Sequence, residues 1–477
     1  MSKKFTRSLI MLLCIAMITA LCGMSAFAED DAAYVAEFIP EGSETGEKYT
    51  SLYGALWHAG DVGGTVRLLD DVTNSEQLTV NAFYSATTVI FDLNGHNLSF
   101  KAFDDDNAYA LKSIGLNGKL IITGNGSITA PGGVICVKTS ALNDPKLVID
   151  KGVTITSESG IAIFDDCSDA EIHVYGTVIT NSDKWAAIQG QGEHYYERIH
   201  GLLYIYEGAT VEANAHAIYV PQGGTINITG GTIKSQDTTA IEMRRGSLDI
   251  SGNPTIETDA TSYSVKENKS GATTVGAAVA IAPYDTSTMN ISISGGTFTG
   301  KEVLSYANPN KVANPNVTIN VTGGKFSTDI TEALTNAEVK SNISEYAVAA
   351  NEDGTYGVEK RNEAFEKVAA VHKAGDKTLT FLAGINNLDY TKAGFRVTLN
   401  GQEQEIPTST VYTALAVNGE TVNSTEKFGT KYFFAANIVI NDDNIAEFTI
   451  KPFATLINGD EVSAKEPTKV TLTGGAE

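Results

Sequence analysis

Cysteine and positive charge are both scarce in this chain of 477 residues. Of its four cysteines, only Cys136 and Cys167 lie beyond the apolar N-terminal segment, so a framework of several disulfides is excluded. The two could pair, but they lie at non-equivalent places in successive repeats, and we expect free thiols. The 34 Lys and Arg against 57 Asp and Glu give a net charge of −23, which excludes nucleic acid as a partner.

Long apolar runs are absent except at the N-terminus. Three basic residues precede an apolar run over residues 10–21, and the small-x-small sequence Ala26-Phe27-Ala28 follows it. This run is shorter than the roughly 20 residues that a spanning helix needs. We therefore predict a cleaved signal peptide over residues 1–28, no membrane span in the mature protein, and secretion to the extracellular space or cell surface. An uncleaved anchor or a lipid on Cys22 is the alternative.

A glycine-rich unit, GGTINITGGTIKS over Gly223–Ser235, recurs along the chain. Alternating β-branched runs on either side of Thr229-Gly230-Gly231 predict a strand, a tight turn and a second strand. Most repeats follow one another after 22 to 31 residues, and one interval of 43 residues is expected to hold two coils. Aligned on the apolar residue before the turn, the repeats fall at Leu93, Ile122, Ile149, Val174, Ile205, Ile228, Ile250, Ile293 and Val321.

A period of this length without a helical pattern predicts an all-β solenoid with three strands in each coil. Each strand pairs with its equivalents in the coils before and after, and its alternate apolar residues fill the axis. Ahead of the first coil, the apolar spacing from Leu52 to Ala59 predicts a capping helix with Thr50 or Ser51 at its N-cap. His58 and Trp57 are assigned to this cap and not to a site.

The chain changes character after Val358. Longer alternating runs separated by Asn-Gly turns predict an antiparallel β-sandwich. The predicted organisation is therefore an N-terminal segment with the capping helix at 29–62, a parallel β-helix at 63–360, a linker at 361–375 and a sandwich module at 376–477.

Several segments carry a resemblance to known proteins. In the β-helix part they are SLYGALWHAGDVGGTVRLLDDVT, DLNGHNLSF, the ITGG and ISGG turns, GGKFSTDI and NEDGTYGV. These are similar to secreted, right-handed parallel β-helix proteins, the pectate-lyase-like repeat proteins of Gram-positive bacteria. Near the end of the chain, FGTKYFFAANI and FTIKPFATLING resemble immunoglobulin-like or fibronectin-like modules of bacterial surface proteins. The β-helix fold that this implies hosts lyases, hydrolases, adhesins and structural stalks alike.

Two short motifs are candidates for catalysis. Asp165-Asp166-Cys167 resembles part of the polygalacturonase signature, in which paired carboxylates act as acid and base, but the other parts are missing and a solvated turn is favoured. Arg244 and Arg245 could supply the base of a lyase that holds an acidic sugar through calcium. We expect this pair instead to be solvated at a corner, with Glu242 and Asp249 balancing its charge.

An insertion over Gln189–His200 is the candidate for ligand binding. Aromatic rings stack on sugars, and loops on rigid scaffolds often bind ligands. The expected ligand-binding residues are Trp185, His194, Tyr195, Tyr196 and Arg198. The alternative is an inert loop. The spacing of its histidines predicts no metal site, and a second insertion, Asp259–Gly276, predicts only a surface loop.

The sequence thus favours a secreted or cell-surface protein that is not an enzyme and acts in adhesion, carbohydrate binding or surface architecture. Its expected partner is a glycan or a host or cell-wall surface. It needs no cofactor, although calcium is possible. The alternative is a polysaccharide lyase or glycoside hydrolase acting on acidic glycans.

Overall fold

The computed structural model describes most of the chain beyond the N-terminal segment. The described residues are 33–82, 87–101, 109–115, 118–138, 145–166, 170–191, 202–269, 271–343, 345–360, 368–372, 378–385, 390–399, 401–408, 410–417, 419–428, 430–439, 447–456, 461–464 and 467–471. The predicted signal peptide lies outside these residues. Among them, no helix is both long and apolar enough to cross a membrane.

Three sheets, A, B and C, form a solenoid through which each coil passes in that order. From the N-terminal end, sheet A contains Glu47–Tyr49, Ala36–Ile39, Gly64–Leu68, Thr88–Asp92, Lys119–Thr123, Lys146–Ile149, Glu171–Val174, Leu202–Ile205, Thr225–Ile228, Gly246–Ile250, Met289–Ile293, Val317–Val321 and Val339–Ser341. Sheet B contains Val72–Asn74, Asn97–Phe100, Gly126–Ala130, Val153–Ser157, Thr177–Thr180, Thr210–Ala213, Thr232–Ser235, Thr255–Thr258, Thr297–Thr299, Lys325–Phe326, Tyr356–Lys360 and Tyr346–Ala350. Sheet C contains Leu78–Ala82, Tyr109–Gly115, Gly133–Lys138, Ile163–Asp166, Ile188–Gly190, Ile218–Val220, Ile241–Met243, Ala277–Ile281 and Glu302–Tyr306.

Parallel pairing in register confirms the predicted β-solenoid. Ile205, Ile228 and Ile250 are directly paired in consecutive strands of sheet A, and their side chains are buried on the axis. Alternate residues such as Asn227 face outward. Burial of one such isoleucine contributes about 1.5–3 kcal/mol, and each coil depends on its neighbours for that burial.

Two details of the predicted repeat are wrong. Phe91, not Leu93, pairs with Ile122, because the strand in this coil ends earlier and a longer corner follows it. The interval of 43 residues is a single coil, since Ile250 pairs directly with Ile293. The additional residues form a hairpin of strands Ser264–Val265 and Thr274–Val275, and Ala277–Ile281 is the sheet C strand of the same coil.

The N-terminal end carries the predicted helix, α1, over Leu52–Val62. The Ser51 hydroxyl accepts a hydrogen bond from the Gly54 amide at 3.3 Å, and Leu52 and Leu56 are among the buried residues of the helix. The segment before it contributes two strands, Ala36–Ile39 and Glu47–Tyr49, which extend sheet A in antiparallel pairing. Together they cover the first coil.

The aromatic residues of the cap have structural contacts. His58 packs against Phe38 with ring centroids 4.6 Å apart, and its Nδ1 lies 2.7 Å from the Tyr49 hydroxyl. Trp57 is partly exposed and stacks on Tyr53. At the other end of the solenoid, helix α2 over Thr331–Thr335 packs beside the last strand of sheet A.

The C-terminal part contains small antiparallel sheets, as predicted. One consists of Val368–His372, Thr378–Ile385, Tyr432–Val439 and Val411–Tyr412; the other of Gln402–Thr408, Tyr390–Leu399, Glu447–Leu456, Glu461–Ser463 and Thr468–Thr471. Phe381 and Phe434 of the first sheet pack against Phe395 of the second, with centroid distances of 5.6 and 5.3 Å. A hairpin of Ala414–Val417 and Glu420–Asn423 precedes helix α3 over Ser424–Phe428.

Candidate functional site

Four aromatic side chains form a stacked group on the outer face of sheet A. His173 and Tyr204 are paired in adjacent strands, and their rings stack at 4.7 Å with an interplanar angle of 5°. Tyr175 and Tyr206 follow the same two strands, and their rings stack at 4.1 Å and 4°. Strands lie about 4.8 Å apart in a sheet, so aromatic residues in register stack along the solenoid. We call these four residues the aromatic block.

Hydrogen bonds hold the rings of the aromatic block in place. His173 Nε2 lies 2.6 Å from a Glu171 carboxylate oxygen, and Nδ1 lies 2.8 Å from the Tyr206 hydroxyl. Since a carboxylate only accepts, Nε2 donates to Glu171. Lys146 binds the other oxygen of Glu171 at 2.7 Å. These contacts orient the rings of His173 and Tyr206.

The pKa values around the block follow from these contacts. Burial raises the pKa of Glu171, but the hydrogen bonds from Lys146 and His173 outweigh it and bring the pKa below its usual value. Burial, together with a hydrogen bond to Tyr175, holds the pKa of Tyr206 above its usual range. Glu171 is thus ionised and Tyr206 neutral at physiological pH.

The coils that follow the aromatic block carry short polar side chains at the same positions. Tyr204 pairs with Asn227, which pairs with Asp249. Beside Tyr206, Thr229 donates its amide to the Ile205 carbonyl. Asn227 is half-buried, and Asp249 and Thr229 are exposed. We call Asn227, Thr229 and Asp249 the polar floor. Because these side chains are shorter than tyrosine, the rings of Tyr204 and Tyr206 project further from the sheet, and one face of each ring borders the polar floor.

The aromatic block includes residues that the site prediction did not select. Among the predicted residues, Trp185 is 37% exposed, and Lys184 Nζ lies 4.3 Å from the centroid of its ring. Trp185 precedes the strand Ile188–Gly190, which contains the first two residues of the predicted insertion. His194, Tyr195, Tyr196 and Arg198 lie outside the described residues and stay predictions.

The carboxyl pair Asp165 and Asp166 ends a strand of sheet C. Asp166 forms an ion pair with Lys138 at 2.8 Å on the outer face. Asp165 is buried and accepts a hydrogen bond from Gln222 Nε2 at 3.2 Å, so the expectation of a solvated turn is wrong for this residue. Successive residues of a strand point to opposite faces, so the two carboxyl groups do not converge on one sugar. Cys167 lies outside the described residues.

Arg244 and Arg245 are buried, not solvated at a corner as predicted. Arg244 donates from Nε to the Ala282 carbonyl at 2.8 Å and binds the Asn268 and Gly271 carbonyls through its terminal nitrogens. Arg245 forms an ion pair with Asp285, not with Asp249 or Glu242.

Burial raises the pKa of Asp285, but the contacts with Arg245 and Ser287 outweigh burial and lower it. Asp285 is therefore the charged partner that compensates the buried guanidinium of Arg245.

The second insertion is an ordered hairpin that covers part of sheet C, and the prediction of a simple surface loop is wrong. Beneath it, the fully buried Glu242 accepts hydrogen bonds from the Thr273 amide at 2.8 Å, the Thr273 hydroxyl at 2.9 Å and the Thr274 amide at 3.1 Å. His216 Nε2 lies 3.2 Å from the same carboxylate. Burial raises the pKa of Glu242, but these partners bring it below its usual value. The hairpin also covers Arg244, whose guanidinium binds the carbonyls of Asn268 and Gly271.

Neither cysteine chemistry nor a metal centre is evident in the described part of the chain. Cys136 is a free, buried thiol whose pKa is raised to about 12, mainly by burial. No group of three or more His, Cys, Asp or Glu side chains among the described residues is arranged to hold a metal ion. Calcium binding stays a prediction.

Comparison with protein-family models, with curated proteins and with solved structures finds no match to this chain. The pectate-lyase-like and immunoglobulin-like resemblances therefore remain predictions, based on the segments that carry them, beside the β-solenoid fold that the structure shows.

Proposed function

We propose that this is an exported, non-catalytic protein that binds glycans at a cell or host surface. The observation that carries the proposal is the aromatic block with the polar floor beside it, on the outer face of a rigid sheet. An acidic protein repels polyanions, so the proposed ligand is a neutral glycan.

The two parts of this surface suit the two chemical characters of a sugar ring. The C–H face of a pyranose packs against an aromatic ring, as the faces of Tyr204 and Tyr206 allow. The hydroxyl groups of the same sugar can exchange hydrogen bonds with Asn227, Thr229 and Asp249. Because His173 and Glu171 already fix the rings, little conformational entropy is lost when a ligand binds.

The arrangement of the catalytic candidates supports binding without turnover. Asp165 and Asp166 point to opposite faces of their strand, whereas glycoside hydrolysis needs two carboxyl groups on either side of one bond. Arg244 and Arg245 are buried, whereas the base of a lyase must reach the substrate.

Affinity electrophoresis in gels containing neutral polysaccharides, followed by calorimetry with oligosaccharides, tests the proposal. One stacking contact contributes about 1 kcal/mol, so Tyr204→Ala and Tyr206→Ala should each weaken binding about fivefold to tenfold. Tyr53→Ala is the matched control. Tyr53 is an exposed tyrosine on helix α1, so its replacement should leave the affinity for the glycan unchanged.

Two results would contradict the proposal. One is that no neutral glycan retards the wild-type protein. The other is that the Tyr204 and Tyr206 variants bind as tightly as the wild type, which would remove the aromatic block from the site. Release of unsaturated uronate or new reducing ends from polygalacturonate would favour the alternative, an enzyme acting on acidic glycans.

A further inference from the structure

Asp249 carries the single charge in a polar area on the outer face of sheet A. The area continues the polar floor over three consecutive coils, whose sheet A strands are Thr225–Ile228, Gly246–Ile250 and Met289–Ile293. The other outward side chains at or just after these strands are uncharged hydroxyl and amide groups. The outward residues are Thr225, Asn227, Thr229, Ser247, Asp249, Ser251, Asn290, Ser292 and Ser294.

The neighbours of Asp249 on this face supply no cation. In the two adjacent strands Asp249 is paired with Asn227 and Ser292. Along its own chain the outward neighbours on either side are Ser247 and Ser251. The side chain of Asp249 is exposed, so a ligand on this face can reach the carboxylate.

Two other outward carboxylates of sheet A do have a basic partner in the adjacent strand. Asp92 lies 2.8 Å from Arg67 Nε, and Glu171 lies 2.7 Å from Lys146 Nζ. Opposite charges at neighbouring positions of paired strands stabilise a sheet. Asp249 occupies a comparable position beside uncharged residues, so its charge is available to a cation that a ligand supplies.

Asp249 lies one strand beyond the position that a sugar takes in the proposed site. Tyr204, Asn227 and Asp249 follow one another in register on three adjacent strands. Adjacent strands are about 4.8 Å apart, so a ring that stacks on Tyr204 and lies over Asn227 comes within about 5 Å of the strand of Asp249. A substituent of that ring can therefore contact the carboxylate.

A protonated amino group is the sugar substituent that matches this carboxylate. It supplies both the missing positive charge and a hydrogen-bond donor, whereas sugar hydroxyl groups can bind the uncharged side chains around Asp249. The net charge of −23 also attracts cationic ligands. We infer that the protein prefers glycans that contain sugars with a free amino group, which pairs with Asp249 while the ring contacts the aromatic block. The inference rests on the proposed function.

Calorimetry with two matched ligands tests this preference. These are the β-1,4-linked tetrasaccharides of glucosamine and of glucose, which differ in the amino group. At about pH 5.5, where the amino groups are protonated, the ion pair predicts that the glucosamine ligand binds up to about fivefold more tightly. At about pH 9.5, where they are neutral, the two ligands should bind equally.

Two variants separate the ion pair from the general attraction of an acidic protein. Asp249→Asn should remove the preference at about pH 5.5 and leave the affinity for the glucose ligand unchanged. Asp61→Asn is the matched control, because it changes the net charge equally at an exposed position of helix α1. This control should keep the preference of the wild type.

The possible failures are distinguishable. Equal wild-type affinities for the two ligands at about pH 5.5 would overturn the inference and leave the proposed function standing, whereas no binding of either ligand would overturn the proposed function. A preference that survives in Asp249→Asn would assign it to the net charge and overturn the role of Asp249. Should Asp249→Asn fail to show the wild-type thermal midpoint, Asp249→Ser, which repeats the residue of the next strand, gives the same comparison.

Discussion

Replacement of Glu242 by glutamine removes the buried negative charge that attaches the hairpin of strands Ser264–Val265 and Thr274–Val275 to sheet C. The carboxylate accepts from two backbone amides and one hydroxyl of the hairpin, and it faces His216. In Glu242→Gln, an amide N–H₂ group must take the place of one accepting oxygen, so a donor then faces other donors.

Glu242→Gln should strongly destabilise the attachment of the hairpin to sheet C, because the Glu242 carboxylate is fully buried. Removing one partner from a buried charged network costs about 3–5 kcal/mol. When the hairpin opens locally, hydrogen exchange of its amides scales with the open fraction. A loss of about 3 kcal/mol therefore predicts exchange more than a hundredfold faster over residues 259–276, measured by mass spectrometry of that peptide.

Glu257→Gln is the matched control for this prediction. Glu257 is the partner of Lys234 at 3.2 Å on sheet B and is partly exposed, so this pair contributes at most about 1 kcal/mol. Similar exchange rates of the hairpin in the two variants would refute the role assigned to Glu242. Faster exchange in Glu242→Gln alone, with other peptides unchanged, is the expected result.

The remaining predictions concern stability. The pKa of Glu302 is raised from 4.5 to about 7 by burial and by the nearby Glu332 and Asp329, so the folded protein binds this proton more tightly than the unfolded chain does. The free energy of unfolding should therefore fall as the pH rises from about 4.5 to about 7. Glu302→Gln removes this ionisation, so thermal unfolding at pH 8 should show the variant to be about 1 kcal/mol more stable than the wild type, after allowance for solvent screening. If the variant keeps the pH dependence of the wild type, the assignment to Glu302 is contradicted. Gly246→Ala and Gly208→Ala both place a side chain at positive φ, but only at Gly246 does the new Cβ overlap a carbonyl oxygen, that of Gly224. In urea unfolding, the free energy of unfolding should fall by about 1–2 kcal/mol for Gly208→Ala and by at least about 1 kcal/mol more for Gly246→Ala. Equal decreases in the two variants would show that the corner at Gly246 can relax and would contradict the prediction.

The solenoid could be predicted from the sequence because its signal is local. Each strand alternates apolar and polar residues, and glycine or asparagine marks the corners, so Ile228 and its equivalents align without knowledge of the structure. The alignment failed at Leu93 because the corner in this coil is longer than in the other coils. Leu93 lies within that corner, and Phe91 is the residue that pairs with Ile122. The expectation of two coils between Ile250 and Ile293 is wrong because an inserted hairpin lengthens a single coil.

The sites were harder to predict because they depend on contacts between distant residues. Glu242 and Thr273 are 31 residues apart, and no local pattern shows that the hairpin folds back onto the carboxylate. The aromatic block did leave a signal, since aligning Val174 with Ile205 also aligns His173 with Tyr204. Reading the outward positions across coils, as well as the apolar ones, would have found it.

A structure of the protein with a bound neutral oligosaccharide would show directly whether the aromatic block binds glycans. We expect a sugar ring over Asn227 and Thr229 with its C–H face against Tyr204 or Tyr206. A sugar bound elsewhere on the protein, with the ring faces of Tyr204 and Tyr206 free of ligand, would contradict it.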